Sequence, residues 1–80
     1  MFDEAEPCRE PGALERRYAN YFEVGHNAVE FLLDFGQLYS EGESAQLHSR
    51  IVTSPAYAKA MLRTLEESVH RYENEFGVIE

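Results

Sequence analysis

Asp34 stands inside the apolar run Leu32-Leu33-Asp34-Phe35-Gly36. A carboxylate placed among apolar neighbours can serve as an acid, a base or a ligand, because burial shifts its proton affinity. An unpaired buried charge is also costly, which favours a second reading. Strand alternation puts Asp34 on the same side as Glu30, and Arg50 is the nearest counter-ion on a following strand, so the expectation is a structural ion pair, Asp34 with Arg50, across the sheet or across a dimer. The other candidates are weaker. His26, His48 and His70 lack a His-x-x-x-His or Cys-x-x-Cys partner, and Cys8 has no base assigned to it. Ser54 is accounted for as a helix cap. No catalytic, cofactor-binding or metal-binding residue is assigned, and the expectation is a protein that is not an enzyme.

The elements that position these groups begin with the clearest one. Ser54 and Pro55 supply an N-cap and a first helical residue, and Gly77 supplies a close. Between them Ala58, Met61, Leu62, Leu65, Val69, Tyr72 and Phe76 recur every three or four residues, which is one stripe of a helix. That helix runs for about 22 residues, or roughly 33 Å. Val78 and Ile79 follow Gly77 as apolar residues able to fold back.

Upstream the period changes to two, so strands are predicted. In the first, Tyr18, Asn20, Phe22 and Val24 share one side, with Ala19, Tyr21 and Glu23 on the other. Gly25, His26 and Asn27 are expected to reverse the chain. A second strand then has Val29, Phe31, Leu33 and Phe35 on its apolar side. After the polar loop Ser40 to Ser44, a third strand from Ala45 to Thr53 puts Leu47, Ser49 and Ile51 on one face and His48, Arg50 and Val52 on the other. The fold class is α+β, a three-stranded antiparallel sheet packed against one long C-terminal helix in the order β-β-β-α, over residues 18–80. Residues 1–17, with five carboxylates, three arginines, two prolines and no period, are expected to be a disordered acidic tail.

Eighty residues make one small domain that is marginal by itself, and one cysteine permits no internal disulfide. The formal net charge of −8, from 15 acidic and 7 scattered basic residues, argues against nucleic-acid binding. With neither a basic leader nor a long apolar run, a soluble cytoplasmic protein that is not held in a membrane is expected.

Three strands about 4.8 Å apart make a sheet narrower than the helix is long, and both sheet edges are unpaired. Two copies would solve both problems, so a homodimer is expected. Tyr21, Phe22, Phe31, Phe35, Met61, Leu65, Val69, Tyr72 and Phe76 are the candidate dimer or partner interface, with Ser54 and Gly77 as helix caps.

Four segments in order, YAN, EFLLDFG, RIVTSPAYAKAML and YENEFG, resemble the small prokaryotic family catalogued as domain of unknown function 3467, from about Tyr18 to Ile79. The resemblance implies a compact strand-rich domain ending in a helix, and no established activity. The order of elements is also similar to that of the SecB export chaperone, a likeness of topology that carries no function. The leading functional expectation is a non-enzymatic adaptor or chaperone-like binder of extended protein segments. The alternative is an accessory subunit of a larger assembly, docking through its acidic surface and tail.

Overall fold

The computed structural model describes residues 12, 14–40, 42 and 44–80, so most of the expected tail lies outside the described residues. Strands β1 (Tyr21–His26), β2 (Phe31–Gln37) and β3 (Gln46–Thr53) form one antiparallel sheet in the order β1-β2-β3, and helix α1 (Pro55–Phe76) follows.

The first reversal sits later than the Gly25–Asn27 expectation. Gly25 and His26 remain in β1, opposite Leu32 and Phe31. Asn27 makes the turn instead, since its side-chain oxygen accepts from the Val29 and Glu30 amides at 2.8 Å each while its own amide donates to the Glu30 carbonyl at 3.0 Å. An asparagine that binds the backbone two and three residues on closes a turn without needing glycine. Val29 is consequently in the turn and exposed rather than on the apolar side of β2.

Residues Tyr18 to Asn20 precede β1 rather than opening it. Asn20 is nonetheless held, because its side chain both donates to the Leu38 carbonyl (3.0 Å) and accepts from the Leu38 amide (2.8 Å).

Between β2 and β3 the register shifts after Phe35, which faces Ser49, whereas Gly36 faces Leu47. His48 is the extra residue of this β-bulge, and Leu47 leaves the face it would share with Ser49 and Ile51 by simple alternation. Gly36 is buried at that point, and a Cβ there would stand 2.5 Å from the Gln46 carbonyl oxygen. The close approach of two backbones explains the glycine.

Ser54 is extended (φ −85°, ψ 161°) and its hydroxyl accepts from the Tyr57 amide at 3.2 Å, with Pro55 opening the helix. At the far end Gly77 takes φ +106° and its amide donates to the Glu73 carbonyl at 3.0 Å. Ile79 is tied by its amide to the Glu73 carboxylate (2.9 Å), but Val78 is exposed and does not fold back on the helix.

The helix does not pack on the sheet of its own chain. Contact between elements is extensive only from strand to neighbouring strand. Leu33 and Ala58 are the buried apolar residues among those described. The amphipathic stripe predicts that something covers the helix; one residue between β3 and α1 leaves the chain little freedom to do so itself.

Candidate interaction surface

Pairing sorts the sheet into two unlike faces. One carries Phe22 and Val24 from β1, Phe31, Leu33 and Phe35 from β2, and Ile51 from β3. Its rings interlock: Phe22 meets Phe35 edge-on (5.8 Å between centroids, 89°), and the His26 ring stacks on Phe31 (5.4 Å, 23°). Leu33, at the centre, is only 5% exposed, whereas Phe22 (59%), Val24 (62%) and Ile51 (50%) remain open around it. The central strand is sheltered by its neighbours, whose own apolar side chains stand open to solvent.

The opposite face is polar along one row. Glu23, Asp34 and Arg50 face one another across the three strands. Arg50 grips Asp34 with two parallel hydrogen bonds, Nε to Oδ1 and a terminal guanidinium nitrogen to Oδ2, both 2.8 Å. The Asp34 carboxylate is buried while most of the Arg50 side chain stays in solvent. Hydrogen bonds from Arg50 hold the Asp34 carboxyl below its ordinary 3.8, burial opposes the shift, and the guanidinium charge adds to it. Tyr21 lies on this face too, donating to Glu23 at 2.7 Å, and that bond raises its phenolic pKa. It is therefore on the opposite face from Phe22, Phe31 and Phe35 and does not share the apolar surface expected of the candidate interface.

The depressed acidity of Asp34 fixes a pH dependence. A carboxyl whose folded pKa is lowered contributes stability that is fully present above its unfolded value and is lost as pH falls through the folded one. Thermal melts should therefore lose stability on acidification below 3.8. Asp34→Asn should melt lower at pH 7 and show a smaller loss on acidification; an unchanged melting temperature at pH 7 would show that the pair contributes nothing.

On the helix, Met61, Leu65, Val69, Tyr72 and Phe76 form a continuous apolar stripe whose exposures run from 38% at Val69 to 66% at Phe76. Tyr72 and Phe76 touch, with centroids 5.0 Å apart. The chain brings the sheet group and the helix group to separate surfaces and does not join them. Sequence periodicity had no signal for two further contacts: the His48 ring, which bonds the Tyr18 carbonyl (2.9 Å) and the Ser49 hydroxyl (2.7 Å), and the Asn20 clamp. The first ties the segment before β1 to β3, and the second ties it to Leu38 just past the end of β2.

Among the described residues no group of three or more His, Cys, Asp or Glu is placed to hold a metal ion, and no helix is long and apolar enough to cross a membrane. The sequence profile of the family described as protein of unknown function (DUF3467) matches residues 4–80. The chain belongs to that family. The DUF3467 match begins well before Tyr18, which corrects the expectation that the N-terminal segment lies outside it. No curated protein and no solved structure matches this DUF3467 chain.

Proposed function

We propose that this DUF3467 protein is a non-enzymatic interaction module, an adaptor or chaperone-like binder of extended protein segments that acts as a homodimer in the cytoplasm. The observation that carries this reading is the pair of uncovered apolar faces, one on the sheet and one on the helix, with Leu33 and Ala58 the buried apolar residues among those described. A monomer that leaves contiguous apolar surface in water invites association. The outer edge of β1 offers unpaired backbone groups to which an extended segment can add as a further strand. A net charge of −8 disfavours nucleic acid as the partner.

A second reading, accessory subunit of a larger assembly, gains support from the family match across residues 4–17, since that stretch belongs to what the family shares. Light scattering on the purified chain should give a mass of two copies, and a pull-down from the native host should recover partners. Capture of a heterogeneous set of proteins, equally with and without residues 1–17, supports the binder. One stoichiometric partner lost with that segment supports the subunit. A solution mass of one copy that captures nothing would overturn both.

A further inference from the structure

Resting on the homodimer reading, we infer how the two copies fit together: each protomer's helix stripe lies on the other's apolar sheet face, so that one reciprocal contact covers both surfaces.

Four observations lead there. First, the joint is fixed. Ser54 is the single residue between Thr53 and Pro55, a residue preceding proline favours the extended conformation that Ser54 takes, and the helix it launches does not pack on its own sheet. Second, the surfaces are of the kinds that pack. A helix stripe against an apolar sheet face is one of the few stable two-layer arrangements, and each chain carries one of each without a partner.

Third, the dimensions agree. From Met61 to Phe76 the stripe rises about 22 Å at 1.5 Å per residue. From Phe31 to Gln37, β2 spans about 20 Å in a strand.

Fourth, the area suits a dimer. The chain exposes 7472 Å², whereas a folded monomer of 9.2 kDa exposes about 4,900 Å². Even if the first 17 residues are granted the full accessibility of an unfolded chain, a surplus of about 500 Å² remains. The surplus of about 500 to 2,500 Å² per copy spans the roughly 800 Å² that each partner gives to a standard interface.

Pairing helix to helix would bury the stripes alone and leave Phe22, Val24 and Ile51 in water. Exchange covers both groups with one twofold axis, the helix-on-sheet contact being made twice, and the assembly closes at two copies. The polar row of Glu23, Asp34 and Arg50 and the β1 edge stay accessible for a guest segment.

The test mixes two single-cysteine chains, both carrying Cys8→Ser to remove the native thiol. One carries Leu65→Cys and the other Val24→Cys, both at exposed positions. The chains are unfolded together, refolded, and treated with a short bis-maleimide. The expected result is a linked band made of one Leu65→Cys chain and one Val24→Cys chain, dominating over either like-with-like product. Phe22→Cys with Val69→Cys should repeat it. A dimer by light scattering whose cross-link joins Leu65→Cys chains to each other, or that yields no mixed product with either pair, overturns the exchanged arrangement while leaving the homodimer standing. A single-copy mass before cross-linking overturns both.

Discussion

In the dimer proposed above, replacing Leu65 with glutamate is expected to shift the solution mass at micromolar concentration from two copies to one, 9.2 kDa. Leu65 sits mid-stripe and is 58% exposed in the single chain, so a partner would bury it and water would not. Burying a leucine is worth about 1.5–3 kcal/mol, and a twofold interface loses it twice. The dimer should weaken by about 10²- to 10⁴-fold, since each 1.4 kcal/mol is a factor of ten. The desolvated carboxylate adds to the loss. Helix content by circular dichroism should drop with dissociation, because an isolated helix draws its stability from packing of its apolar face. Arg63→Gln is the control, two positions away and so about 200° round the helix; its mass should stay at two copies. A Leu65→Glu chain that keeps the mass of two copies would remove the stripe from the interface.

Gly36→Ala is expected to be the most damaging single-methyl change in the sheet. Its Cβ would meet the Gln46 carbonyl oxygen at 2.5 Å and the Leu47 Cα at 3.0 Å, both backbone atoms that cannot rotate away. Overpacking of this kind costs about 1–3 kcal/mol, and a domain of this size loses roughly 4–8 °C of melting temperature per kcal/mol. Gly25→Ala is the comparison, since a Cβ there meets nothing within 4 Å. Equal melting temperatures for the two variants would show that the bulge has room to give.

Much of this architecture could be read from residue spacing. The helix runs from Pro55 to Phe76 because its cap, its first-turn proline and its closing glycine are each local signals, independent of anything distant. Alternation placed Asp34 and Arg50 on one side of their strands, and the pairing sets them opposite. Local competition hid the rest. Gly25, His26 and Asn27 all suit a turn, and only the bonds made by the Asn27 side chain decide among them. His48 looks like any alternating residue until the bulge removes it from the ladder, taking Leu47 off its expected face. An amphipathic stripe announces that it will be covered without saying by what, so the periodicity that located Met61, Leu65 and Val69 could not show that their own sheet leaves them open.

The solitary Ser54 joint has a mechanical corollary. With the rod fastened to the end of β3 by one constrained residue, it acts as a lever arm whose angle is inherited from the strand. A change of about 10° in the twist of that strand would swing the tip of a rod roughly 33 Å long through about 6 Å. A strand added at the opposite margin, by altering the coiling of the whole ribbon, would thus displace Tyr72 and Phe76, near the far end of the rod, more than residues near Pro55, and in the inferred dimer would carry the motion onto the partner's sheet.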